Sequence, residues 1–178
     1  MKKTLLLLSA LLSLSIATAN AKDKKPTEHI NQDLPGDSIR LAELDRYWAK
    51  VSQTVKEGDF EGYSALYHKD AVVIFATGKN KISNSIKVAL ANWEQGFIDN
   101  KAGKKRDNVE FRFSQRIGSE TTAHETGIFY FTSFESGKEE IKELVHFEML
   151  LVRGKDGWYS LMEYQKSKAS QEEWEALK

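Results

Sequence analysis

The chain contains no cysteine. That excludes disulfides, a thiol nucleophile, thiolate metal sites and a lipidated cysteine behind an export signal. It also lacks a charge bias, with 26 Lys and Arg against 26 Asp and Glu. Without a basic surplus there is no electrostatic case for nucleic acid or for an anionic membrane as partner. Beyond the first 21 residues no apolar run is long enough to span a bilayer. Glycine-rich phosphate cradles are missing too. The basic stretch Asn100 to Asn108, with Lys101, Lys104, Lys105 and Arg106, therefore reads as a solvated loop rather than an anion site.

What is present begins with an export signal. Lys2 and Lys3 form a basic start, Leu5 to Ile16 an apolar stretch, and Ala19-Asn20-Ala21 fits the small-residue cleavage rule. Residues 1–21 are read as a signal peptide, with the mature protein periplasmic or secreted and free of the membrane. Residues 22–36 are polar, carry Pro26 and Pro35, and read as a tether. Residues 37–178 are of a size to form one domain with a core.

Within that domain the apolar period predicts three helices, then strands. Leu41, Leu44, Tyr47, Trp48, Val51 and Val55 make one helical stripe after Asp37. Gly58 ends that helix, and Asp59 caps a short second one carrying Phe60, Tyr63, Leu66 and Tyr67. The run Ala71 to Ala76 reads as a buried strand. A third helix is predicted from Ser83, with Ile86, Leu90, Trp93 and Phe97 on one side. Four strands follow, at about 109–117, 122–135, 140–153 and 157–166, separated by Gly118-Ser119, Ser136-Gly137 and Asp156-Gly157. Ser170 with Glu173 predicts a capping box for a last short helix bearing Trp174.

Three pieces carry a family resemblance. They are Gly58-Asp59 with Tyr67-His68-Lys69-Asp70-Ala71, the stretch Ala123 to Gly127, and Asp156-Gly157-Trp158. In this order they resemble the nuclear transport factor 2-like superfamily and, within it, the SnoaL-like group of polyketide-cyclase relatives. The resemblance spans about Asp37 to Ser167. It implies a cone-shaped α+β fold, with three N-terminal helices packed on a curved antiparallel sheet around one pocket. It further implies homodimerisation through the sheet and, where catalysis occurs, proton-transfer or lyase chemistry without a cofactor. The superfamily hosts isomerases, dehydratases, hydrolases, cyclases and members without known chemistry, so the fold does not decide the function. The isomerase pattern does not carry over: Phe75 stands at the position of its catalytic aspartate, and Val51 at that of its oxyanion tyrosine.

Strand alternation then selects a pocket wall. A two-residue turn at Asp156-Gly157 places Phe147, Met149, Leu151, Trp158, Met162 and Tyr164 on the inner face. His146, Glu148, Glu163 and Gln165 then lie on the outer face. The expected ligand-binding residues are Tyr47, Trp48, Phe75, Trp93, Phe129, Phe147, Met149, Met162 and Tyr164, around a small, mostly apolar molecule. Glu125 is the catalytic candidate. With a three-residue loop at Ser136 to Lys138 it lies opposite Met149 on the inner face, where it would serve as general acid or base. With a two- or four-residue loop His124 takes its place, and a strand-end carboxylate in water remains the plain alternative. The pair His146 and Glu148 has no third ligand at recognisable spacing, so no metal site is expected. A non-catalytic module using the outer sheet face is the alternative function.

Overall fold

The computed structural model describes residues 37–177. The expected signal peptide and tether lie outside the described residues. Helix α1 (Asp37–Glu57) leads into α2 (Phe60–Ser64), β1 (Tyr67–Phe75), β2 (Ile82–Ser85) and α3 (Ile86–Lys101). Four long strands follow, β3 (Lys105–Gly118), β4 (Thr122–Glu135), β5 (Ile141–Gly154) and β6 (Gly157–Lys168), before α4 (Gln171–Ala176). They form an α+β fold with one curved six-stranded sheet, ordered β2-β1-β6-β5-β4-β3.

Helix α1 forms where its apolar stripe dictates. Leu44, Tyr47, Trp48 and Val51 are buried on one side and pack with Phe147, Met149, Leu151 and Trp158 of the sheet. Each such buried side chain contributes about 1.5–3 kcal/mol relative to exposure. Gly58 ends the helix with φ +65°, and a Cβ there would stand 2.5 Å from the backbone nitrogen of Lys101. Only glycine meets both demands, a left-handed conformation and a helix end pressed against it. Asp59 caps α2 through Gly62 N, and Ser170 with Glu173 closes the capping box of α4.

A second cluster forms where α3 lies on β1. There Ile86 and Ala89 bury against Tyr67, Ala71 and Val73. Asn100, near the end of α3, ties three elements together. Its Nδ2 donates to the carbonyls of Val55 and Lys56 at 2.7 and 3.2 Å, and its Oδ1 accepts from Asp107 N at 3.1 Å. Those carbonyls end α1 and have no partner within the helix.

Several boundaries differ from expectation. The third helix begins at Ile86 rather than Ser83, because Ile82–Ser85 pairs with β1 as an edge strand. β1 runs antiparallel to β2 but parallel to β6, so the sheet is mixed rather than antiparallel throughout. β3 begins at Lys105, inside the stretch expected to be a basic loop. The last hairpin turns through Lys155 and Asp156, with Gly154 opposite Gly157.

The largest correction concerns β6. Leu151 lies opposite Ser160, yet Leu150 lies opposite Met162, so Leu161 is an extra residue in a bulge. A shifted turn alone moves the register by two and keeps each residue on its face. A one-residue bulge reverses every face beyond it. Glu163 and Gln165 therefore turn inward, opposite Met149 and Phe147. Met162 and Tyr164 turn outward, opposite Leu150 and Glu148. On that outer face α4 folds back, with the Trp174 ring under the Arg112 guanidinium at 4.1 Å and beside Tyr130.

Candidate functional site

Helices α1, α2 and α3 and the inner sheet face line a cavity of about 370 Å³ that opens to solvent. Of the expected ligand-binding residues, Tyr47, Trp48, Phe75, Trp93, Phe129, Phe147 and Met149 line it. Met162 and Tyr164 do not, for the bulge places them on the other side of the sheet. The wall is mainly aromatic. Trp48 packs at 4.5 Å from Phe111 and 5.5 Å from Phe147, and Phe75 meets Trp93 edge-on at 6.0 Å. Offset and edge-on rings of this kind form a stiff apolar surface.

Against this wall sits a buried acid. Glu163 is 7% exposed. Its Oε2 accepts from the Tyr67 hydroxyl at 2.5 Å and its Oε1 from the Gln165 amide at 2.8 Å. The Tyr67 hydroxyl also lies 2.9 Å from that of Tyr63. All four residues line the cavity. Burial raises the Glu163 pKa, opposed by the hydrogen bonds from Gln165 and Tyr67. Burial, reinforced by the Glu163 charge, holds the Tyr67 and Tyr63 hydroxyls well above the usual phenol range. A carboxyl raised by desolvation and linked to phenols is suited to exchange protons with a bound molecule. The expected face assignment hid Glu163, because alternation carried no mark of the bulge. Tyr63 and Tyr67 stood in plain sight as helix and motif residues.

Glu125 takes the register of the three-residue-loop alternative, opposite Met149 on the inner face, and is fully buried. It is not among the cavity-lining residues. Trp48 Nε1 donates to its Oε2, and Arg116 Nε donates to Oε1 at 2.8 Å. Arg116 continues to Asp45 at 2.6 Å. Outside the cavity lining and paired with the Arg116 guanidinium, Glu125 has the geometry of an anchor for the Trp48 indole rather than of an acid facing a ligand. The corresponding place in the cavity belongs to Glu163.

Asn92, Lys105, Asp107 and Glu143 also border the cavity. Lys105 Nζ lies 2.6 Å from Asp107 Oδ2, with the side chains 20% and 9% exposed. Lys105 is thus drawn onto the inner face, although its neighbours Lys104 and Arg106 are exposed. On the outer face His146 lies 3.2 Å from Glu173 of α4, and Glu148 pairs with Lys166 at 2.5 Å and His124 at 3.6 Å. Lys166 holds the Glu148 carboxyl below the usual range. Among the residues expected on the outer face, Glu163 and Gln165 are therefore misplaced, while His146 and Glu148 stand there. Among the described residues no group of three or more His, Asp or Glu is placed to hold a metal ion.

The architecture has solved counterparts. A conserved protein from Planctomyces limnophilus superposes with a TM-score of 0.62 at 14% identity, over 74% of this chain and 99% of its own. An NTF-2-like protein of unknown function from Shewanella oneidensis gives 0.54 at 14% identity, over 72% and 99%. The chain has the nuclear transport factor 2-like fold. ActVI-ORFA from Streptomyces coelicolor shares that fold, with a TM-score of 0.55 at 17% identity, over 70% of this chain and 94% of its own. No family model matches the sequence and no curated protein matches it.

Proposed function

We propose that this protein binds a small, mostly apolar molecule in the cavity, and that Glu163, with Tyr67, exchanges a proton with it. One observation carries the reading: an aromatic cavity of about 370 Å³ that contains a buried carboxyl on a chain of phenols. The volume suits a molecule of one to three rings, and such pockets combine an apolar wall with a few convergent polar groups. The nuclear transport factor 2-like fold supports the reading, since it is a small-molecule binding or converting fold in the SnoaL-like relatives that the sequence resembles. Glu163 is raised by burial, which suits it to act as acid and base in turn. The alternative, a partner-binding outer sheet face, is weakened where α4 already occupies that face through Trp174.

The test is a thermal-shift screen of the full chain against hydrophobic ring compounds, with hits titrated by Trp fluorescence. Trp48 and Trp93 line the cavity and report directly. A ligand at one hundred times its Kd stabilises by about 2.7 kcal/mol. Hits whose binding is weakened by Phe147→Trp, which fills the cavity, support the proposal. A screen in which no compound stabilises the protein overturns it.

A further inference from the structure

Asp107 carries an unanswered hydrogen-bond acceptor. Its side chain is 9% exposed and it lines the cavity. Oδ2 takes the Lys105 ammonium at 2.6 Å, while Oδ1 is buried with no donor among the described residues within hydrogen-bonding reach. A buried acceptor left unmade costs more than a formed bond contributes. The residue is nevertheless held firmly: its backbone nitrogen is bonded to Asn100, which in turn clamps the end of α1.

Position along the strands separates this group from the other polar centre. Glu163 lies opposite Met149, which lies opposite Glu125 on β4; Asp107 lies opposite Ser133, well along the same strand. Between the two levels β4 presents Phe129 and Phe131 to the cavity. The cavity thus has the Glu163 and Asp107 carboxyls at two separated levels, with Phe129 and Phe131 of β4 between them and Glu143 of β5 opposite Phe131.

We propose that the cavity selects an apolar ring compound bearing a hydroxyl group, an alcohol or phenol, whose O–H donates to Asp107 Oδ1. Lys105 already balances the carboxylate charge, so a neutral donor fits where an ammonium would meet Lys105 nearby. The proposal deepens the binding function above and rests on it. It makes Asp107 a recognition residue and leaves proton exchange to Glu163.

The experiment compares 2-naphthol with 2-methylnaphthalene, which matches it in shape and lacks the donor. Both are titrated against the full chain by Trp fluorescence, in wild type and in Asp107→Leu. The expected result is that wild type prefers 2-naphthol on the order of tenfold or more. In Asp107→Leu that preference collapses while 2-methylnaphthalene binds as before. Equal binding of the two probes to wild type overturns the hydroxyl assignment while cavity binding stands. A preference that survives in Asp107→Leu overturns the assignment to this residue. Binding of neither probe removes both this inference and the function beneath it. The wild-type comparison decides even if the variant does not fold.

Discussion

Replacing Glu163 by glutamine should flatten a pH dependence that the buried acid imposes on the fold. Burial raises the folded-state pKa above the unfolded value of about 4.3. The folded protein therefore binds more protons than the unfolded chain between those two values. Stability contributed by the protonated group is fully present below the unfolded pKa and is lost as pH rises through the folded pKa. The slope in that window is at most about 1.4 kcal/mol per pH unit, and it vanishes once both states are ionised. Glutamine keeps the shape, accepts from Gln165 and can donate to Tyr67, but does not titrate. Urea denaturation of both proteins at half-unit steps from pH 4 to 9 isolates this component as a difference of two curves. Wild type should lose ground to Glu163→Gln as pH rises. A flat difference, or wild type gaining with pH, would refute the placement of an uncompensated carboxyl in this cavity.

Other perturbations follow from the same geometry. Gly58→Ala should lower stability by about 1–2 kcal/mol or more, from the left-handed backbone and the contact with Lys101, as read by the shift in denaturation midpoint. Arg116→Met leaves the Glu125 carboxylate buried with Trp48 alone; a loss of about 2–4 kcal/mol is expected, together with a changed Trp emission. Equal stability with unchanged emission would show that the pair does not anchor the indole. Trp174→Ala should cost about 3 kcal/mol at most, through α4 on the outer face, yet leave the affinity of any cavity ligand unaltered in fluorescence titration.

Much of the architecture was legible because local signals agreed. The α1 stripe, the stop at Gly58, the Asp59 cap and the Ser170–Glu173 box each follow from residue types at fixed spacings, and all four appear in the structure. The aromatic wall was legible as well, since Tyr47, Trp48 and Trp93 lie on helix faces whose period sets their direction. The start of β3 was not. Lys104, Lys105 and Arg106 disguised a strand whose alternate residues Lys105, Asp107, Val109 and Phe111 reach the cavity.

By itself, the sequence determined which segments are helices, where their greasy sides point and that a strand meander closes over them. It did so because period and capping are properties of neighbours along the chain. Only the tertiary structure decided which acid faces the cavity. Face identity on β6 hinges on the bulge at Leu161, and that extra residue is set by pairing with β5 and β1 rather than by any local preference. The same holds for Glu125 and Glu163. Both are buried carboxylates on strands, and what separates an anchored ion pair from a cavity acid is whether an arginine on the adjacent strand reaches it.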